Sequence, residues 1–297
     1  MSFGLVLGLV FTLHSWAAPQ DSHPDSASIN ASAKLMLIMD DIGYNRRLGE
    51  RVVSLPGPIN CAFLPHTPFA KRLAEHAHRN GHTVMLHAPM ANENGARLGP
   101  GALLQTMSPQ QLQASLQQSL DSIPYVTGVN NHMGSLLTQN ASAMQPLLEL
   151  VQQQGLFFVD SITSPNSVAL RTAKALQLPA LGRDVFLDHS QQPEDIAHQF
   201  ERAIQHAKAH GAAVLIGHPY PNSLDFLEQT LPTLHEQGVE LTAVDDFLKQ
   251  QLHFWAEQSK PQSSSRFQLH ISLPAVMEEV EDFGDSLSLS DNGGEIR

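Results

Sequence analysis

Eight short apolar runs, each ending in polar or turn residues, limit what this chain can fold into more than any other feature. They are "LMLIMDD", "INCAFLP", "TVMLHAP", "GVNNHMG", "LFFVDS", "DVFLDH", "AAVLIGHP" and "VELTAVDD". Amphipathic stretches lie between them, among them "PFAKRLAEHAHRNG", "SPQQLQASLQQSLDSIP", "SAMQPLLELVQQQG" and "PEDIAHQFERAIQHAKAHG". Several of these close on a glycine (Gly81, Gly155, Gly211, Gly238), the residue that ends a helix most cheaply before a following strand. Ser108 followed by Pro109 opens another helix as N-cap and first helical residue. Strand and helix alternating in this way imply a parallel sheet, closed or doubly wound. No GxGxxG loop follows the first strand, which removes the main support for a nucleotide-binding sheet. The expected architecture is therefore α/β, a (β/α)7-8 barrel forming a single domain over residues 34–250.

The ends of the chain read differently. "FGLVLGLVFTL" followed by "HSWAAPQ" has the apolar core and small-residue spacing of an export signal, so residues 1–18 are expected to be a signal peptide and 19–33 a flexible linker. The alternatives are a short uncleaved membrane anchor or a mis-assigned start. Residues 251–297 are expected to form an acidic, disordered tail, with a docked accessory helix at "AVMEEVEDF" as the alternative. After the N-terminus no apolar run is long enough to span a bilayer. A formal charge of -12 argues against nucleic acid as a partner, because phosphate neutralisation needs a basic face. Sixteen histidines raise the prior for a metal or acid–base site, and with Cys61 as the one cysteine, zinc would have to be held by His and Asp.

The polar residues that end the runs carry the chemistry. Asp40 and Asp41 end the first, His87 the third, His132 the fourth and Asp160 the fifth. Asp188 and His189 end the sixth, His218 the seventh, and Asp245 with Asp246 the eighth. His66 lies near the exit of the second. In an α/β barrel all C-terminal strand ends meet on one face, where active sites lie. His66, Asp188, His189, Asp245 and Asp246 are read as caps or satisfied loop residues, the common fate of such groups. That leaves Asp40, Asp41, His87, His132, Asp160 and His218, a set suited to metal-dependent hydrolysis. One of two adjacent aspartates can ligate the metal while the other takes a proton from water. Neighbouring strand residues face opposite ways, so both can serve one site only if the chain bends there; Gly43 would permit it.

"IMDDIGYN", "LHAPM", "NNHMGS", "FVDSIT" and "IGHPYP" together resemble the divergent polysaccharide deacetylase family, exported bacterial relatives of the NodB-type deacetylases. The likeness runs from about Lys34 to Gln250. It implies a distorted NodB-like barrel in which Asp40 is the general base, Asp41 and His132 bind the metal, and His218 is the general acid towards the leaving amine. The NodB-type H-x-x-x-H motif is broken, since Leu136 stands four residues after His132. His87 is the candidate to complete an Asp-His-His site, with Asp160 as its competitor. The arginine-bearing motif that orients the base in the wider family has no recognisable match.

The function implied is hydrolysis of an N-acetyl group or related amide on a cell-envelope carbohydrate such as peptidoglycan. The cofactor would be Zn2+ or another divalent transition metal, and the location outside the cytoplasm, in the periplasm. Two other readings stand beside it: a glycan-binding or regulatory module of altered catalytic competence, and a metal-dependent phosphoester or ester hydrolase in the same pocket.

Overall fold

A computed structural model describes residues 32–258, and those up to His253 form one compact unit. The stretches expected to be an export signal, most of the linker and the tail beyond Gln258 lie outside the described residues. Among the described residues there are nine strands: β1 (Ala33–Ile42), β2 (Asn60–Phe63), β3 (Thr83–Met90), β4 (Val126–Met133), β5 (Phe157–Asp160), β6 (Ala180–Gly182), β7 (Val185–Phe186), β8 (Ala212–Gly217) and β9 (Val239–Leu241). Eight helices accompany them: α1 (Arg46–Val52), α2 (Ala70–Arg79), α3 (Pro109–Asp121), α4 (Ala141–Gln153), α5 (Ala169–Ala175), α6 (Pro193–His210), α7 (Pro221–Thr230) and α8 (Val244–Gln258). Every strand pairing is parallel, in the order β6-β5-β4-β3-β2-β1-β8-β7. The result is the curled α/β barrel expected from the alternation of runs.

A period of two divides each strand between two cores. Leu35, Leu37 and Met39 of β1 face the helical layer and join its buried residues. Met36 and Ile38 face inward, where they meet Ala62, Met85, Phe157, Val159, Val214 and Ile216. Val244 at the start of α8 joins this inner cluster, with Phe247 and Leu248 packed against it. The helices bury one stripe each: α6 presents Ile196, Phe200, Ala203, Ile204 and Ala207, spaced for a single helical face. α3 opens as expected, with Ser108 Oγ accepting from Gln111 N and Gln111 Oε1 accepting from Ser108 N.

The eighth run differs from its expectation. β9 ends at Leu241 and pairs with Ala33–Leu35, the beginning of β1. β8 occupies one edge of β1 along Lys34–Met39, so β9 and β2 divide the other edge between them. Asp245 and Asp246 thus start α8, and Asp245 accepts a hydrogen bond from Thr83 at the opening of β3. They belong to the opposite end of the barrel from the exits of β1, β3 and β8. α8 also runs to Gln258, eight residues into the stretch read as tail.

Among the described residues β6 and β7 are not paired, and this seam is where the sheet fails to close. Between them the chain changes partner: Arg183 N donates to Asp160 O on one side, and Asp184 N to Val214 O on the other. The Arg183 side chain clasps the seam, donating from Nε to Ser161 O at 2.7 Å and from Nη2 to Ile162 O at 2.9 Å, with Phe186 under the guanidinium. Arg183→Met should lower unfolding free energy by about 2–3 kcal/mol, the worth of charge-assisted bonds to carbonyls left without a donor. A denaturant midpoint indistinguishable from wild type would contradict this. Cys61 is fully buried in the outer core, and burial pushes its thiol far above the usual range. A thiol reagent should leave the native protein untouched and titrate one thiol after unfolding; fast native labelling would refute the packing.

Candidate functional site

The inward row of several strands ends in a polar group resting on the inner apolar cluster. Along β1 the row is Met36, Ile38, Asp40; along β3, Met85 then His87; along β8 and beyond, Val214, Ile216, His218. On β4 the row is Gly128, Asn130, His132, where a Cβ at Gly128 would overlap the Phe157 ring. Asp41 belongs by parity to the outer row, but a register shift between Met39 and Ile42 and a left-handed backbone (φ 58°) turn it back. Gly43 (φ 141°) follows, where a Cβ would overlap Thr67 Oγ1. This bend is what lets both aspartates serve one site.

Asp41, His87 and His132 converge. Asp41 Oδ1 lies 2.8 Å from His132 Nδ1 and 3.2 Å from His87 Nε2, and the two nitrogens are 3.2 Å apart. Among the described residues this is the one Asp/His group with ligand atoms placed to share an ion. Asp41 Oδ1 is buried, yet no N–H of the described residues points at it in hydrogen-bonding geometry. A proton shared between the two nitrogens satisfies only them, whereas a cation among the three donors satisfies all of them. Tetrahedral ligands with bonds of about 2.0 Å lie about 3.3 Å apart, close to the observed spacing. The donor set therefore fits zinc or a similar divalent ion.

The charges agree with that fit. Burial opposes ionisation of Asp41, but His132 and His87 hold its carboxyl far below the usual range. Burial opposes a charge on His87 too, yet Asp40 and Asp41 raise its basicity above the ordinary histidine value. Asp40 is 2% exposed, and burial raises its pKa despite His87, His218 and the Asn130 amide. Its Oδ1 accepts from Asn130 Nδ2 at 2.7 Å, which leaves Oδ2 directed towards the histidines, 3.6 Å from His87 Nε2.

His218 stands across the site with Nε2 4.0 Å from Asp41 Oδ2. Its Nδ1 donates to Asp188 Oδ1 at 2.9 Å, and Phe186 and Tyr220 flank the ring. Asp188 is buried and fixed in turn, its Oδ2 accepting from His218 N at 2.7 Å and Ser223 Oγ at 2.8 Å. Burial works against a charged His218, but Asp188, Asp40 and Asp41 push its pKa up to about 9. The reading of Asp188 as a mere cap is thus corrected: it is held so as to orient an imidazole. His66 and His189 are exposed, as loop residues are.

Asp160 is not brought to the cluster. By parity it faces the helical layer, where it accepts from Ile162 N, Ser167 Oγ and Leu170 N and anchors the segment leading into α5. Asn130 and Asn131 enter the site without having been singled out. Asn131 joins the exits of β4 and β5, accepting from Ser161 N and donating to Met133 O, just after His132. Two asparagines directly before the strand-end His132 are the one sequence signal that could have marked them.

Two clefts meet at Asp41 and His132. One, about 340 Å³, holds Asp40, His87, Ser161 and His218; the other, about 630 Å³, runs past Tyr44, Arg97 and Leu98. Tyr44 is more than half exposed, an aromatic face at the mouth of the wider cleft.

The profile of the family described as divergent polysaccharide deacetylase matches residues 37–248. The chain is 36% identical over 203 residues to the uncharacterized protein YibQ of Escherichia coli, a match covering 68% of this chain and 64% of that protein. It thus spans less than two thirds of that relative's length. An uncharacterized protein of Haemophilus influenzae is 34% identical over 206 residues, covering 69% of this chain and 74% of its own. The crystal structure of the uncharacterized protein ATU2773 from Agrobacterium tumefaciens superposes with a TM-score of 0.70 at 22% identity, covering 73% of this chain and 89% of that one. At that identity the likeness is one of fold.

Proposed function

The chain belongs to the divergent polysaccharide deacetylase family, and from that premise we propose that it is a metal-dependent hydrolase removing an N-acetyl or related acyl group from a cell-envelope carbohydrate. The observation that carries the proposal is the convergence of Asp41 Oδ1, His87 Nε2 and His132 Nδ1 between two free proton-transfer atoms, Asp40 Oδ2 and His218 Nε2. A divalent ion such as zinc, held by Asp41, His87 and His132, would supply Lewis acidity that polarises a carbonyl and acidifies water.

The chain's own groups divide the remaining work. Asp40 is the base: its Oδ1 is tied to Asn130, so Oδ2 is the oxygen left to take a proton from the attacking water. His218 is the acid: its Nδ1 is engaged by Asp188, so Nε2 is the atom that gives a proton to the leaving amine. Water adds to the carbonyl carbon, the C–N bond breaks, and the products are the free amine and the carboxylate. The apolar inner cluster beneath Asp40 and His87 keeps bulk water from the lower side of the site. The wider cleft, with Tyr44 as a platform for a sugar ring, would take the glycan. The same proposal locates the protein outside the cytoplasm, on the strength of the apolar N-terminal stretch.

Acetate release from N-acetylated glycan fragments tests the reading, using chelator-treated and zinc-restored protein beside Asp40→Asn. Release that depends on zinc and disappears in Asp40→Asn is expected. Zinc binding without release from any N-acetylated fragment would sink the deacetylase reading and favour ester or phosphoester cleavage in the same pocket. No binding of any divalent metal would sink both enzymatic readings.

A further inference from the structure

We propose that Asn130 is the positioning residue for both halves of this centre: it fixes which nitrogen His87 presents to a metal and which oxygen Asp40 presents to substrate. The second half rests on the hydrolase reading; the first does not. Asn130 is fully buried in the inward row of β4. Its Oδ1 lies 2.8 Å from His87 Nδ1, and its Nδ2 lies 2.7 Å from Asp40 Oδ1 and 3.4 Å from Ser161 Oγ.

An amide has one accepting end and one donating end, and only this orientation leaves both neighbours usable. With Oδ1 towards His87, Nδ1 must carry the ring proton, and Nε2 keeps its lone pair facing Asp41 and His132. With Nδ2 towards Asp40, the carboxylate accepts through Oδ1 and keeps Oδ2 free. The reversed amide would demand a lone pair on His87 Nδ1, placing the ring proton on Nε2. It would also demand a proton on Asp40 to face the amide oxygen. Both halves of the centre would fail together.

The partners distinguish this role from ordinary structural use. Two other buried asparagines bond the main chain: Asn60 joins Leu37 O and Val244 N, and Asn131 joins Met133 O and Ser161 N. Asn130 bonds only side chains, and the two nearest are a candidate ligand and the candidate base.

Two variants separate the halves. Asn130→Asp keeps an acceptor for His87 Nδ1–H but sets a second carboxyl 2.7 Å from Asp40 Oδ1, so that the two share one proton and the base loses its full charge, whereas Asn130→Ala removes both contacts. Zinc affinity, measured by competition with a chromophoric chelator, should fall about 10- to 100-fold in Asn130→Ala and be kept in Asn130→Asp. Acetate release at saturating zinc should fall at least about 10-fold in both. Wild-type zinc affinity in a folded Asn130→Ala would overturn the first half; wild-type turnover in Asn130→Asp would overturn the second. Should Asn130→Ala not fold, long-range proton–nitrogen NMR of the zinc-loaded wild type decides. His87 should coordinate through Nε2 with its proton on Nδ1, and coordination through Nδ1 would refute the proposal. A wild type that binds zinc but releases no acetate counts against the hydrolase reading, and the affinity and NMR results still decide the role at His87.

Discussion

Asp41→Asn should yield a folded protein that no longer retains zinc through chelator treatment and shows no zinc-dependent hydrolysis. Asparagine is the informative replacement because, like aspartate, it tolerates the left-handed backbone that this position requires. Its amide removes the charge at the one buried oxygen that the described residues leave without a donor. Losing an outer partner of a metal ligand costs about 10- to 100-fold in affinity, and losing a charged ligand among three should exceed that range. The metal-free proteins should differ less, because wild-type Asp41 has only histidines to offset its charge. Calorimetric zinc titration of both proteins, with melting curves in chelator, checks the two statements. An Asn variant that binds zinc as tightly as wild type would remove Asp41 from the ligand set.

Asp188→Asn should abolish most turnover while leaving the metal in place. The carboxylate holds His218 through Nδ1, so the proton to be donated sits on Nε2. An asparagine can turn its NH2 towards Nδ1 and reverse the tautomer, and in hydrolases built on a His–Asp pair such a change costs up to about 10⁴-fold. A fall of about 10²- to 10⁴-fold in kcat with unchanged zinc content is therefore expected. The pH dependence carries a sign. Burial lowers the basicity of His218 while Asp188 and the two aspartates of β1 raise it, to about 9 on balance. A general acid works only while protonated, so wild-type activity should fall as pH rises through the pKa of His218. Removing the Asp188 charge should move that alkaline limb to lower pH, towards the ordinary histidine value. A limb that stays in place, or moves up, would deny His218 the acid's role.

Much of this centre was legible because strand chemistry repeats every second residue. Met36-x-Ile38-x-Asp40, Met85-x-His87 and Val214-x-Ile216-x-His218 each place an apolar pair or single residue below a polar one on the same face. The same parity excludes Asp160, which shares its side of β5 with the outward Phe158. What hid Asp188 and Asn130 is that each bonds an imidazole carried by the adjacent strand or its exit. A carboxylate at a strand end looks alike in sequence whether it caps a helix or steers a histidine 30 residues away. β6 was hidden because its three residues are half-buried and carry no apolar run. "VELTAVDD" misled for the opposite reason: its apolar residues continue past the end of β9 through the buried Ala243 and Val244, the residue that opens α8.

The pairing of β1 has a consequence in time. The strand that carries both aspartates is held along one edge by β8 and is shared on the other by β9 and β2. Its partners β8 and β9 lie some 180 to 200 residues further along the chain. Such distant contacts are slow to form and are made only after the intervening chain exists. His87 and His132, on the adjacent strands β3 and β4, can come together from local chain alone. The same stretch of chain seats the two aspartates beside them, because Ile38, Met39 and Ile42 of β1 pair with β2, which pairs with β3. What closes last is the other side of the site: Asp188 and His218, carried at the exits of β7 and β8, reach Asp41 only when β8 docks on β1, so the imidazole opposite Asp41 is the last group to be seated.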